Sequence, residues 1–232
     1  MNNKKEAFRA ALPYTLPVFT GFTVLGIAYG ILMDSKGISI VWTFLSSTFI
    51  YAGSMQFVAV ALLGTGFDPI YAILMTLMVN ARHLFYGISM LGKLKGTGKL
   101  KPYLIFCLSD ETFSILVSTE PPNGVDRKWF MFFVALLDHL YWIMGSVVGG
   151  LIGSVISFNT KGIDFVLTAL FVVILVNQWK STSNHLPAII GIISAIACRL
   201  IFGATHFIIP SMLMILFFVS TLKMPIEMRK NS

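Results

Sequence analysis

Charged residues are scarce in this sequence, at 12% of its 232 residues, whereas soluble domains carry about 25%. Cysteine is also rare: only Cys107 and Cys198 are present, and both lie in apolar stretches, so neither a disulfide nor a cysteine metal site is expected. Phosphate-binding loops, zinc-ligand spacings and nucleophile elbows do not occur in the sequence. These absences argue against an enzyme of the soluble type, and no catalytic residue, cofactor or metal site is predicted.

Long apolar runs are abundant instead, with 56% hydrophobic residues and a mean hydropathy of +0.82. Runs of about 17–25 apolar residues can each span a bilayer as a helix. We therefore predict an all-α polytopic membrane protein, a single transmembrane transporter domain over residues 1–232 with about seven to eight hydrophobic segments. The proposed segments are 11–33, 38–63, 69–92, 102–119, 129–156, 163–179, 186–203 and 205–222.

The formal charge of +7 is distributed over short loops and tails, as the positive-inside rule describes, and it does not indicate a nucleic-acid partner. Basic residues precede the first segment, fill the loop 93–101 and follow the last segment. If these clusters and both termini are cytoplasmic, the first three segments cannot all cross the membrane. The second segment is the best candidate for a broken or re-entrant helix, because "YAGSMQF" (51–57) places polar residues and glycine among apolar neighbours.

Weak similarities between the two halves of the chain indicate an internal repeat. "DSKGISIVWTF" from residue 34 resembles "NTKGIDFVLTA" from residue 159, and "ARHLFYG" (81–87) resembles "CRLIFG" (198–203) in the same order. The repeats would cover about 11–119 and about 129–222. If the second and sixth segments do not cross fully, each half crosses three times and the halves are inverted, an arrangement common in secondary transporters. Eight full crossings remain the alternative.

Two stretches rich in small residues, "GFTVLGIAYG" (21–30) and "GSVVGGLIG" (145–153), occupy matching places in these halves. Small residues at helical spacing let the backbones of two membrane helices approach closely. We therefore predict that both stretches serve helix packing near a pseudo-symmetric core.

The third segment contains polar residues that an apolar helix does not need, in "MVNARHLFYGISM" (78–90). A cation at this depth requires a partner or a function, so Arg82 forms either a structural ion pair or part of a substrate site. Asp110 and Glu111 in the fourth segment are candidate partners, and adjacent carboxylates in a low dielectric disfavour joint ionisation. Asp138 and His139 form a second acid–imidazole pair that either relays protons or lies near a helix end.

Four stretches together carry a family resemblance: "YAGSMQFVAVALLG", "NARHLFYGISM", "SDETFSI" and "FVLTALFVVILV". With them, nearly the whole chain resembles the AzlC family of branched-chain amino acid exporters. The resemblance implies export of leucine, isoleucine, valine and analogues across a bacterial cytoplasmic membrane. It also implies a small membrane partner of the AzlD type.

The candidate site residues come from the sequence itself, because a zwitterionic amino acid needs a carboxylate partner, an ammonium partner and an apolar pocket. Arginine side chains or backbone amides at the broken helix can bind the carboxylate. Amide or acid side chains can bind the ammonium group. Met55, Phe57 and Phe85 either line the pocket or serve packing. The predicted substrate-binding residues are Gly53, Ser54, Gln56, Asn80, Arg82 and Arg199. The predicted proton-coupling residues are His83, Asp110, Glu111, Asp138 and His139.

We expect a proton gradient to drive transport, because the chain has no ATP-binding element. Three alternatives stay open. The first is a transporter or channel for another small solute, since no motif specifies the amino acid side chain. The second is a membrane assembly subunit whose partner holds the pathway. The third is an intramembrane hydrolase, which would need a paired acid motif across segments that the sequence lacks.

Overall fold

A computed structural model describes residues 2–64, 68–155 and 185–207, together with isolated residues between 165 and 180 and between 210 and 221. The chain divides into two compact units, Met1–Leu167 and Thr168–Ser232. Helices form all the regular structure of the described residues, which confirms the all-α prediction. The first unit contains α1 (Asn2–Ser35), α2 (Ile40–Phe49), α3 (Gly53–Gly64), α4 (Pro69–Met90), α5 (Lys101–Phe106), α6 (Asp110–Ser118) and α7 (Arg127–Val155).

Three helices among the described residues are long and apolar enough to cross a membrane. They are Lys4–Ser35 within α1, Arg127–Val155, and Leu186–Gly203 in the second unit. Helix α4 has 22 residues, which corresponds to about 33 Å, but its polar residues lower its hydropathy. Large apolar side chains remain exposed along these helices, as lipid-facing surfaces require, for example Leu84 at 72% and Val155 at 83%.

The small-residue stretches of α1 and α7 pack directly against each other, as predicted. A Cβ atom added at Gly26 would lie 2.9 Å from the backbone nitrogen of Ser146, and one added at Gly145 would lie 3.0 Å from the carbonyl oxygen of Phe22. Farther along, the backbones approach still more closely, since a Cβ atom added at Gly30 would lie 2.7 Å from the backbone carbonyl carbon of Gly149. Only glycine permits such an approach between helix backbones.

The same contacts show that α1 and α7 run in the same direction. Near the start of both helices, the rings of Phe8 and Phe133 lie 5.4 Å apart, and the ammonium group of Lys4 lies 4.1 Å from the centroid of Trp129. Near their ends, Gly153 approaches the side chain of Asp34. An inverted repeat that matches the first with the fifth segment requires these helices to be antiparallel, so this pair does not have the predicted inversion.

Helix α4 runs opposite to α1 and α7 and ends at the face where they begin. Its C-terminal neighbour Lys93 forms an ion pair with Glu120, with Nζ and Oε1 3.0 Å apart, and Arg127 at the start of α7 approaches the same carboxylate at 3.7 Å. The basic N-terminus and the basic loop 93–101 therefore lie on one face of the first unit. This is the arrangement that the charge pattern predicted for these two clusters.

The second segment is broken, also as predicted. Helix α2 begins where Ile40 packs on Gly150, and it ends beside His139, whose ring lies 4.4 Å from that of Tyr51. Tyr51 has φ +45° and Gly53 has φ +33°, left-handed values that turn the chain. Helix α3 then returns antiparallel to α4 toward the face from which α2 came. Helices α2 and α3 thus form a re-entrant hairpin.

The fourth segment, expected to be one continuous helix, is also broken. Helix α5 begins at the basic face, and Phe106 at its end lies 5.7 Å from the ring of His139. Ser109 then caps a new helix, because its Oγ accepts the Thr112 amide at 3.1 Å. Helix α6 returns to the basic face, where Lys93 Nζ donates to the Leu116 carbonyl at 3.1 Å.

A full crossing by the fourth segment is therefore wrong. Within the first unit, α1, α4 and α7 run from face to face, while hairpins α2–α3 and α5–α6 enter from opposite faces and meet in the middle. Two helices, α1 and α4, run from one face to the other before α7 begins, so α7 is parallel to α1. The inverted repeat was inferred from three such helices in the first half, and the described residues of that half contain two.

In the second unit, the structure describes α8 (Leu186–His206). Gly203 has φ +75° and interrupts this helix close to the predicted boundary between the seventh and eighth segments. The guanidinium carbon of Arg199 lies 5.6 Å from the centroid of Phe207. Apart from isolated residues, the sixth segment (163–179) lies outside the described residues, and the eighth (205–222) is described only in part.

Candidate functional site

The two hairpins converge on Arg82, which projects from α4 between the start of α3 and the start of α6. Its Nη1 lies 2.9 Å from Asp110 Oδ2, and its Nη2 donates a hydrogen bond of 2.8 Å to Ser54 Oγ. The side chains of Arg82 and Asp110 are only half-buried, with 27% and 30% of their surface exposed. The guanidinium fork thus connects three separate elements and remains partly exposed.

Tyr86 completes this ion pair, and the sequence analysis did not single it out. Its hydroxyl donates to Asp110 Oδ1 at 2.7 Å, and its ring stacks on Phe113 at 4.2 Å. Tyr86 follows Arg82 by four residues, so both project from the same face of α4. The four-residue spacing could have indicated that Tyr86 lies beside Arg82. A tyrosine in an apolar segment, however, is usually interpreted as a packing residue.

The other two polar residues of the third segment lie beside Arg82. The Asn80 side-chain oxygen is buried and has no hydrogen-bond partner among the described residues. His83 Nδ1 lies 3.2 Å from the carbonyl oxygen of Asn80, and its ring meets that of Tyr86 edge-on at 5.5 Å. The unused acceptor of Asn80 is available for a donor group on a ligand.

A cavity of about 790 Å³ lies between α1, α2, α3 and α4, within the range of about 300–1,000 Å³ typical of small-molecule sites. It extends from Gln56 and Asn80, at the depth of the α2–α3 break, to the loop 37–39 at the face opposite the basic loops. Most of its lining is apolar. The polar side chains in the lining are Tyr29, Ser39, Ser46, Gln56, Thr76 and Asn80.

Gln56 has a structural role that its position in the motif did not reveal. Its Oε1 accepts hydrogen bonds from the Ala52 amide at 3.1 Å and from Trp142 Nε1 at 3.0 Å. The side chain therefore satisfies the free backbone of the break and ties it to α7, as buried polar groups at membrane depth must be satisfied. The same residue still lines the cavity, so positioning and substrate contact are compatible.

The predicted apolar pocket residues separate into two groups. Met55 is buried and lines the cavity, while Phe57 is fully buried with its ring 5.5 Å from that of Tyr29. Phe85, in contrast, exposes 63% of its surface and does not line the cavity. Met55 therefore fits the predicted pocket, Phe57 supports it from behind, and Phe85 serves neither role.

Helices α3 and α6 both begin at this place, and their first-turn amides carry partial positive charge. Gly53 starts α3 and Asp110 starts α6. Together with the Arg82 guanidinium, these ends concentrate positive charge, which the carboxyl groups of Asp110 and Glu111 in the first turn of α6 offset. Such a concentration of positive charge suits an anionic group of a substrate.

A second polar cluster surrounds Asp138 and His139 on α7. Asp138 is fully buried and its Oδ2 accepts a 2.7 Å hydrogen bond from Thr112 Oγ1. His139 Nδ1 lies 3.1 Å from the Tyr103 hydroxyl and 3.8 Å from Cys107 Sγ. Both residues are buried inside the bundle, about three turns from the start of α7.

Two predicted site residues, Glu111 and Arg199, are not among the direct contacts of Arg82 described above. Glu111 follows Asp110 in the first turn of α6 and is half-buried. Arg199 lies on α8 in the second unit. The structure thus brings Ser54, Arg82 and Asp110 into direct contact, with Gly53 and Asn80 beside them, and gathers Asp138 and His139 separately.

Comparison with known proteins agrees with this membrane architecture. The family model described as "AzlC protein" matches residues 17–156. The chain is 52% identical over 230 residues to "Branched-chain amino acid transport protein AzlC" of Bacillus subtilis (strain 168), covering 98% of this chain and 91% of the relative. The chain belongs to the AzlC family.

More distant members carry less specific names. An "Uncharacterized membrane protein" of Haemophilus influenzae (strain ATCC 51907 / DSM 11121 / KW20 / Rd) is 43% identical, over 90% of this chain and 86% of the relative. "Inner membrane protein YgaZ" of Escherichia coli (strain K12) is 28% identical, over 84% of this chain and 80% of the relative. No solved structure matches the chain. The AzlC membership supports a role in membrane transport.

Proposed function

We propose that this protein exports branched-chain amino acids across the cytoplasmic membrane as a proton-coupled secondary transporter, together with a small AzlD-type membrane partner. The observation that carries the proposal is the mostly apolar cavity that ends at the polar side chains of Gln56 and Asn80. An aliphatic side chain gains about 25 cal/mol per Å² of apolar surface buried there. The AzlC relative of Bacillus subtilis is named for transport of this same substrate class.

The polar end of the cavity supplies complementary groups for a zwitterion. The substrate carboxylate is expected to meet Arg82 and the free amides at the start of α3, where Ser54 already bonds the guanidinium. The ammonium group is expected to meet the unpaired Asn80 oxygen, which lacks a partner among the described residues. Met55 and its apolar neighbours then enclose the branched side chain.

Arg82 must exchange partners for this to happen. Its Nη1 is occupied by Asp110 at 2.9 Å, so an incoming carboxylate competes with that residue for the guanidinium fork. The partial exposure of both side chains allows this competition without unfolding the site. Substrate binding and the state of Asp110 are thereby linked.

The charge pattern sets the expected direction. If the face with Lys93 and the basic N-terminus is cytoplasmic, the cavity opens toward the outside, because it reaches the loop 37–39 at the opposite face. The present arrangement then corresponds to a state that releases exported substrate. The N-terminus is cytoplasmic in this orientation.

Efflux of labelled leucine from preloaded cells tests the proposal, with and without the co-expressed partner and an uncoupler. We expect efflux above the vector control, competition by isoleucine and valine but not by lysine, and inhibition by the uncoupler. Arg82→Gln should abolish efflux, and Arg82→Lys should do so nearly as fully, because an ammonium cannot bridge Asp110 and Ser54 as the fork does.

Lys95→Gln is the matched control, since it removes an exposed cation from a loop and touches neither hairpin. Membrane content of each variant is measured in parallel. Retained efflux in Arg82→Gln would remove this residue from the pathway. Absence of efflux in the wild type, with both proteins present in the membrane, would refute the substrate assignment.

A further inference from the structure

Asp138 is a buried carboxyl group that the Arg82 site does not use. Its side chain has 0% exposed surface, one oxygen accepts the Thr112 hydroxyl at 2.7 Å, and the other oxygen has no hydrogen-bond partner among the described residues. No lysine or arginine of the described ranges forms an ion pair with it. Asp138 is thus a carboxyl group at membrane depth without a neutralising cation among those residues.

Asp110 offers the contrast within the same bundle. Its carboxylate is paired with Arg82 at 2.9 Å and accepts a hydrogen bond from Tyr86, so its charge is compensated. A charged side chain without such compensation is costly inside a membrane. The two carboxyl groups therefore differ: Asp110 is paired with a cation, whereas Asp138 has no cationic partner among the described residues.

The groups that face Asp138 come from all the elements packed around it. Thr112 bonds it directly, and its unpaired oxygen is free to hold hydrogen. Beyond Thr112, the titratable groups near this cluster are Tyr51 at the α2–α3 break, Tyr103 on α5, Cys107 at the α5–α6 break, Glu111 on α6 and His139 on α7.

Helix α2 supplies a polar route to this cluster. Thr43 and Ser47 are one turn apart and fully buried, and their hydroxyl oxygens have no partner among the described residues. Helix α2 begins at the face opposite the basic loops and ends next to Tyr51, whose ring packs on that of His139 at 4.4 Å. Unused hydroxyls in such a row can bind water molecules that conduct protons.

We propose that Asp138 is the binding site of the transported proton, separate from the substrate site at Arg82. The proposal rests on the proposed function, because it assigns the coupling step of that transport. In each cycle a proton from the outer side binds the free Asp138 carboxylate oxygen, forming one O–H bond. That bond breaks when the proton leaves to the cytoplasmic side, and one amino acid moves outward.

Proteoliposomes that contain the protein with its partner separate the two functions. Counterflow, the exchange of internal unlabelled for external labelled leucine, needs the substrate site and no net proton movement. Accumulation of leucine into vesicles that are acid inside needs proton coupling. We expect Asp138→Asn, which imitates the protonated side chain in size, to retain counterflow and to lose gradient-driven accumulation entirely.

Asp110→Asn and Glu6→Gln are the matched controls. Asp110→Asn is expected to reduce both counterflow and accumulation, because it disrupts the Arg82 site. Glu6→Gln removes an exposed carboxyl group near the start of α1 and is expected to retain both. Gradient-driven accumulation that survives in Asp138→Asn would overturn the assignment. Absence of counterflow in the wild type would instead refute the proposed function.

If Asp138→Asn loses counterflow as well, the variant Thr112→Val distinguishes a proton-binding role of Asp138 from a structural one. This variant keeps the carboxyl group and removes the hydroxyl that donates to it. We expect the pH profile of gradient-driven accumulation to shift while the leucine KM stays unchanged. An unshifted profile would show that Asp138 is only structural, and the proposal would then be wrong.

Discussion

Replacing Gly149 by alanine should separate the two central helices of the first unit. A Cβ atom added there would meet the carbonyl oxygen of Ile27 and would lie 2.6 Å from the Cα atom of Ile27, whereas ordinary contacts begin near 3.4 Å. The helices must therefore move apart by about 0.8 Å or more, and a gap of 0.5–1 Å forfeits about a quarter to a half of the dispersion energy of the atoms that line it. The obstacle is backbone, so it cannot rotate out of the way.

Overpacking of this kind costs about 1–3 kcal/mol, and we expect the upper part of that range. The melting temperature in detergent should fall by about 2–4 °C per kcal/mol for a protein of this size. The melting temperature is measured by heating the protein fused to a fluorescent protein and following the height of its monodisperse peak in size-exclusion chromatography.

Gly21→Ala is the matched control on the partner helix, because nothing lies within 4 Å of the added atom. Alanine is favoured over glycine in a helix by about 1 kcal/mol, so this variant should be unchanged or slightly more stable. Equal melting temperatures for Gly149→Ala and Gly21→Ala would refute the conclusion that backbone contact between α1 and α7 limits the packing.

Three further predictions concern local features. Gly53→Ala should destabilise the hairpin by about 1–2 kcal/mol, because Gly53 has a left-handed backbone at φ +33°. The cost comes from the backbone alone, since space is free around Gly53. In the same melting assay, Gly53→Asn should lower the melting temperature less, and Gly87→Ala should leave it unchanged. Asp68→Ala should cost about 1 kcal/mol, since its carboxylate accepts the Ile70 amide at 2.9 Å at the start of α4, and Asp68→Ser should restore most of the loss. Lys93 lowers the pKa of Glu120 through a hydrogen bond and its charge, so the small, salt-sensitive gain from this pair is present at neutral pH and disappears as the pH falls through the lowered pKa. The melting temperatures of wild type and Glu120→Gln should therefore converge in acid, and an undiminished difference there would contradict this assignment.

Much of the first unit was predictable from local sequence. The break near Gly53 follows from polar residues and glycine in an apolar run, and the contact of α1 with α7 follows from the spacing of small residues. The pairing of Arg82 with Asp110 was one of two predicted alternatives, because a buried cation has few acids available. Each of these conclusions depends on a group that cannot remain unsatisfied in a membrane.

The fourth segment could not be predicted in the same way. Its sequence from 102 to 119 is apolar enough for a crossing, and the cap formed by Ser109 looks like any serine within a helix. Only the position of Lys93, which bonds the end of α6 at the basic face, shows that the chain turns back. The missed break is the reason why the inverted repeat was inferred from an incorrect number of crossings.

The sequence by itself determined that the chain is a helical membrane protein, where its basic loops lie, and which polar residues need partners. These properties depend on hydrophobicity and charge, which each segment carries independently of its neighbours. Only the tertiary structure decided that two half-helices from opposite faces meet at Arg82, and that Asp110 is paired there while Asp138 is not paired with a cation among the described residues. Such pairings depend on distances between elements far apart in the chain, and no local pattern contains those distances.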